Sequence, residues 1–193
     1  LLAHDPVFEE LLDIARPSIS DLKPIIGDRF IDPLAAWRNL RLLRGDEPRS
    51  QQELRQLLPS LLQACQNAID PDRALAEFES LVKVYGQRHA FLQMLASAPG
   101  VLRFLIHFLG LGSYFAHQLL SAPEWLDIFS QPGQIEFAIS PADLTESLQS
   151  VVSDQFAQRI SRLRHRELLR TGIRQHAGLL DSSAVFAELS ATA

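Results

Sequence analysis

Cysteine is almost absent from this chain: one residue, Cys65, in 193. A lone thiol excludes a disulfide framework within the chain, and it points to a reducing, cytoplasmic setting. Long apolar runs are absent as well. The strongest, "VLRFLIHFLGLG", is broken by Arg103 and His107 and falls short of the roughly 20 residues a membrane-spanning helix needs, so a core helix is expected there and no membrane partner. Glycine and proline are dispersed, which leaves no low-complexity segment or flexible linker. No Asn-Gly or Asp-Gly turn occurs and no stretch alternates as a half-buried strand would. Metal-binding spacings of the His-x-x-x-His or Cys-x-x-Cys kind are also missing, and Cys65 lies in a leucine-rich stretch typical of core. Leu1 follows no initiator methionine, basic leader or cleavage site, so a piece of a longer polypeptide is expected rather than a secreted precursor.

What the chain does have is helical periodicity throughout, and a repeated way of starting helices. Asp5-Pro6, Asp32-Pro33, Asp70-Pro71 and Ser140-Pro141 each set a capping side chain before a proline, whose missing N–H costs nothing at the first helical position. Ser50 with Glu53, and Ser140 with Asp143, have the spacing of capping boxes. The expected fold is all-α, a bundle-like array of about ten helices without significant sheet. Asp70 and Asp72, one residue apart, have the spacing used by metal-binding carboxylates in phosphoryl transfer. Such pairs project from a strand beside a phosphate-cradling loop, and neither is recognisable here, so the pair is expected to be a helix start. Apolar Leu75, Phe78, Val82 and Tyr85 then share one face, and Gly86 ends the pattern. The glycines of "FLGLGSYFAHQL" lack the Gly-Lys-Ser/Thr ending of a phosphate loop, and a helix-to-helix turn capped by Ser113 is expected. Arg103 and His107, one turn apart, are expected to form the solvated strip of their helix or an interface.

Charge is unevenly placed. Residues 153–178 hold six arginines against Asp154 and Glu167, a local balance of +4 in a chain of net charge -5. Arg159, Arg162, Arg164, Arg166, Arg170 and Arg174 alternate with Phe156, Ile160, Leu163, Leu168, Leu169 and Ile173, the pattern of an amphipathic helix. Such a run is commonly a solvated face. As a site, it offers six guanidinium groups suited to bidentate pairing with carboxylates or phosphates, and hence a dock for an acidic domain or partner. Nucleic acid ranks last, because the rest of the chain is acidic and carries no recognised nucleic-acid module.

Several stretches taken together resemble a known family. "LLPSLLQAC", "DPDRALAEFESLV", "RHAFLQMLASAP", "VLRFLIHFLGLGSYFAHQLLSAPEWLDIF", "ISRLRHRELLRTGIR" and "VFAELSATA" are similar to the helical region of the bifunctional glutamine synthetase adenylyltransferase and adenylyl-removing enzymes. The distinctive pieces are Arg88 with Phe91 and Leu92, the box from Ala122 to Asp127, and the arginine-rich helix ending near Arg174. The resemblance implies residues 49–193 as that helical region, cut before a nucleotidyltransferase domain, with residues 1–48 as less clearly matched N-terminal helices. It further implies a parent enzyme that uses ATP and Mg²⁺ to attach AMP to a tyrosine of glutamine synthetase and removes it by phosphorolysis, under a PII-type signal protein. The family's glycine turn and Asp-x-Asp strand pair are not matched by any residues here, so no catalytic, cofactor-binding or metal residue is expected in the chain. On this resemblance the chain is a scaffold whose six arginines dock the adjoining catalytic domain or a partner; the alternative is a non-enzymatic helical interaction module.

Overall fold

The structure, a computed structural model, describes residues 14–126, 156–176 and 178–191, together with Leu11, Ala142, Thr145 and Glu146. Among them are nine α-helices, one short 3-10 turn and no strand. The chain divides into two compact units, Leu1–Pro123 and Glu124–Ala193. The first contains α1 (Ile19–Ile26), α2 (Pro33–Arg44), α3 (Pro48–Asn67), α4 (Pro71–Tyr85), α5 (Arg88–Ser97), α6 (Pro99–Leu111) and α7 (Ser113–Ser121). The second contains α8 (Phe156–His176) and α9 (Ser182–Ala191).

In the first unit α3 and α4 are the hub. Both pack on α6, α3 also packs on α5, and α2 lies on α4. Leucines at helical spacing supply the core of α3: Leu54, Leu57, Leu58, Leu61 and Leu62 are all buried, and burying one such side chain is worth about 1.5–3 kcal/mol. Phe78 of α4 meets Phe91 of α5 at 6.3 Å between ring centroids, and Tyr85 stacks on Phe91 at 4.6 Å. Gly110 is needed where α6 crosses the α3–α4 turn, since a Cβ there would lie 3.1 Å from Ala68 and 3.3 Å from the Asp70 carbonyl. Cys65 is fully buried, and loss of hydration, with the Asp72 charge adding to it, pushes its thiol well above the ordinary range. Packing is continuous across residue 48, because α2 on its near side lies against α4 on its far side.

The helix starts follow the sequence in two of the described cases. Asp32 accepts from the Ala35 N–H at 2.9 Å and Asp70 from the Arg73 N–H at 3.0 Å, each before a proline. Two other starts differ. Ser50 lies inside α3, whose cap is Glu47 before Pro48, and the Ser50 hydroxyl donates to the Glu47 carboxylate at 3.0 Å instead of capping. Ser113 is the first residue of α7, with Gly112 at the cap and no side-chain bond there. Asp5-Pro6, Ser140-Pro141 and the Ser140–Asp143 box lie outside the described residues.

Helix ends in this unit are finished by side chains from far along the chain. Gly27, at φ 101°, ends α1, and the Gln66 amide of α3 donates to the Ile26 carbonyl at 2.7 Å. Gly45, at φ 58°, ends α2, and the Arg88 guanidinium donates to the Leu42 and Leu43 carbonyls at 3.1 and 3.2 Å. Any Cβ on either glycine would collide with the visiting side chain. Among the described residues no single helix is long and apolar enough to cross a membrane; α5 and α6 reach that composition only as a pair bent by 111°. On α6, Arg103 is exposed and His107 half-buried.

Candidate functional site: an arginine-rich helical hairpin

The six arginines lie on one helix, α8, as the periodicity predicts, but they fall into two environments. Arg159, Arg162 and Arg164 are exposed and Arg166 is half-buried. Phe156 and Ile160 beside them are exposed at 45% and 37%, so the first half of α8 presents apolar and cationic side chains together. The second half is interior: Leu169 and Ile173 are fully buried, and Glu167, Arg170, Thr171 and Arg174 are buried with them.

Those buried polar groups are joined. The Arg170 Nε donates to Glu167 Oε2 at 2.7 Å, one turn back on the same helix. Arg174 pairs through Nη1 with Glu188 Oε1 of α9, while the Thr171 hydroxyl donates to Glu188 Oε2 at 2.9 Å. Burial, aided by the Arg170 charge and opposed by Glu167, pulls the Arg174 guanidinium below its ordinary value. It remains a cation at physiological pH, since arginine starts far above that range. The hairpin turns sharply: Gly178, at φ 73°, donates to the Gln175 carbonyl at 3.0 Å and Leu179 to that of Arg174 at 2.9 Å, a Schellman closure. Asp181 then caps α9 by accepting from the Ala184 N–H at 2.8 Å.

Sequence reasoning treated the six arginines as one cationic face and missed Glu188 and Thr171. The count of opposing acids stopped at residue 178, whereas the partner acid sits on the next helix. A signal was present nonetheless, since Glu188 is the one ionisable residue among the small and apolar side chains of α9.

The Asp70/Asp72 pair is the other place where chemistry could reside, and its carboxylates are already engaged. Asp70 caps α4 and lies 3.5 Å from the Arg73 guanidinium. Asp72 accepts from two backbone N–H groups of the segment entering α2, Ile31 at 2.8 Å and Asp32 at 3.1 Å. The two carboxylates thus serve backbone donors on different segments. Among the described residues no three His, Cys, Asp or Glu side chains gather in a way that could hold a metal ion. In the Ala122–Asp127 box Trp125 and Leu126 are buried, and Asp127 lies outside the described residues.

Comparison with known proteins bears on this arrangement. Residues 102–193 match the model of the family described as glutamate-ammonia ligase adenylyltransferase. A bifunctional glutamine synthetase adenylyltransferase/adenylyl-removing enzyme of Pseudomonas aeruginosa is 30% identical over 191 residues, which covers 91% of this chain and 19% of that protein. The protein of the same name from Corynebacterium glutamicum is 25% identical over 170 residues, covering 83% of this chain and 16% of that protein. This chain therefore spans about a fifth of the length of the curated relatives it matches.

Proposed function

We propose, from the membership of residues 102–193 in the glutamate-ammonia ligase adenylyltransferase family, that this chain is a helical scaffold of an enzyme that modifies glutamine synthetase. The parent enzyme transfers AMP from ATP to a tyrosine of glutamine synthetase and removes it by phosphorolysis, under a PII-type signal protein, in the cytoplasm. The observation that carries this reading is the reach of the similarity, 91% of the chain against a relative bearing that name. On this reading the parent enzyme uses ATP and Mg²⁺, and Asp70 and Asp72, which accept backbone N–H groups, are assigned a structural role.

The scaffold's contribution is placement. A nucleotidyl transfer asks the protein to hold two substrates in line and stabilise developing charge, and helices packed within each unit suit the first task. The exposed Arg159, Arg162 and Arg164 are the cationic surface that docks the adjoining catalytic domain or glutamine synthetase. Arg170 and Arg174 are buried and paired, which supports placing the dock on the exposed arginines.

The test uses the full-length parent enzyme with ATP, Mg²⁺ and glutamine synthetase, following incorporation of labelled adenylate. Wild type should modify glutamine synthetase; no incorporation refutes the parent activity and leaves an interaction module. The triple variant Arg159→Glu, Arg162→Glu, Arg164→Glu should lose at least about tenfold in kcat/KM, about 1.4 kcal/mol, while stability moves by no more than about 0.5 kcal/mol per exposed site. Unchanged incorporation by that variant removes the docking role.

A further inference from the structure

α9 has little apolar surface with which to find its place. Its sequence, SSAVFAELSA, is mostly small residues, none of its described residues is fully buried, and its one aromatic, Phe186, is 70% exposed. A helix held by alanines and a half-buried Val185 and Leu189 could rotate or slide against a neighbour at small energetic cost. Its most specific attachment is polar. Both oxygens of Glu188 are used, one by Arg174 and one by Thr171, residues one turn apart on α8 that face the same way. Sliding α9 by a single turn, about 5.4 Å, would break the Thr171 hydrogen bond and the ion pair to Arg174, whose side chain is only 7% exposed.

We infer that Glu188, Thr171 and Arg174 form a register lock: positioning residues that fix the rotation and axial setting of α9 on α8. Buried charge pairs contribute little net stability compared with apolar side chains of similar volume, because desolvation offsets the attraction; their best-attested use is to exclude wrong registers. The lock should therefore be separable from stability. Its consequence for AMP transfer rests on the function proposed above, whereas its structural part does not.

The test replaces the network by apolar side chains of similar volume in one variant: Thr171→Val, Arg174→Met, Glu188→Leu. Spin labels on cysteines introduced as Gln158→Cys and Ala187→Cys, both exposed positions on α8 and α9, report the interhelical distance in the 193-residue chain; Cys65 is buried. The apolar variant is expected to melt within about 3 °C of wild type or above it, while the distance distribution, narrow in wild type, broadens or shifts. In the full-length parent its kcat for AMP transfer should fall about tenfold to a hundredfold with KM for ATP unchanged. Glu188→Gln, which retains an acceptor for Thr171, should restore most of the narrow distribution. A variant with an unchanged narrow distribution overturns the inference. So does one that unfolds, which would make the network a stabilising element instead. If wild-type parent transfers no AMP, the proposed function falls and the distance measurement still decides the lock. If wild type is active and the broadened variant is equally active, the positioning role falls alone.

Discussion

Replacing Asp72 by alanine is the most direct probe of whether the Asp70/Asp72 pair is structural. The carboxylate accepts two backbone N–H groups, at 2.8 and 3.1 Å, from the segment that enters α2. Hydrogen bonds to a charged partner contribute about 1.5–3 kcal/mol each. Asp72 is only half-buried, and water can reach the released N–H groups, so about 1 kcal/mol per bond is the better figure. Loss of an acid from the first turn of α4 adds about 0.3–1 kcal/mol. Asp72→Ala should thus cost about 2–3 kcal/mol, or about 4–12 °C in melting temperature for a protein of this size. Trp37 reports on the event, because it lies on α2 and its indole N–H donates to the Leu11 carbonyl at 3.2 Å; a Trp125→Phe background isolates its fluorescence. Asp72→Asn keeps an acceptor oxygen and should lose about half as much, and Asp70→Ala, which removes only a cap, about 1 kcal/mol. A cost below about 0.5 kcal/mol for Asp72→Ala refutes the reasoning. So does a rise in melting temperature on adding Mg²⁺ that this variant abolishes.

Two further outcomes are expected. Gly45→Ala introduces a Cβ against Arg88 and places alanine at φ 58°, so it should cost about 1–2 kcal/mol. Combined with Arg88→Ala the costs should fall short of additive, because the collision is then gone; full additivity in a double-mutant cycle refutes the coupling. Asp21 is held below the usual carboxylate range, first by the backbone N–H of Ser18 and then by its hydroxyl. A depressed acid stabilises the fold fully above its unfolded value and loses that contribution as pH falls through the native one. Carboxyl chemical shifts against pH should place the Asp21 midpoint below that of a random-coil aspartate, and Ser18→Ala, which keeps the backbone N–H, should move it part of the way upward; no movement refutes the part assigned to the hydroxyl.

Local rules worked where both partners lie within one turn. Asp32 and Asp70 could be read as caps because the N–H each accepts is three residues on. Ser50 misled because Glu47-Pro48 three residues earlier makes an equally good start. The two acids of Asp-Pro-Asp look alike in sequence; Asp72 is the first-turn acid expected of it, but its hydrogen bonds to Ile31 and Asp32, on a segment some 40 residues upstream, could not be read locally. The arginine helix shows the same limit. Its periodicity predicts the helix, but the acid that meets its buried Arg174 is Glu188, which lies beyond the Gly178 turn on the next helix.

The distant caps on α1 and α2 set an order of events during synthesis. The carbonyls of Ile26 wait for Gln66, 40 residues later, and those of Leu42 and Leu43 for Arg88, 46 and 45 residues later. At about 5–20 residues per second on the ribosome, the ends of α1 and α2 stay open for roughly 2–9 seconds before the side chains that close them exist. The beginning of this chain is completed by its middle, and a nascent polypeptide halted before Arg88 carries an α2 whose last carbonyls still face water.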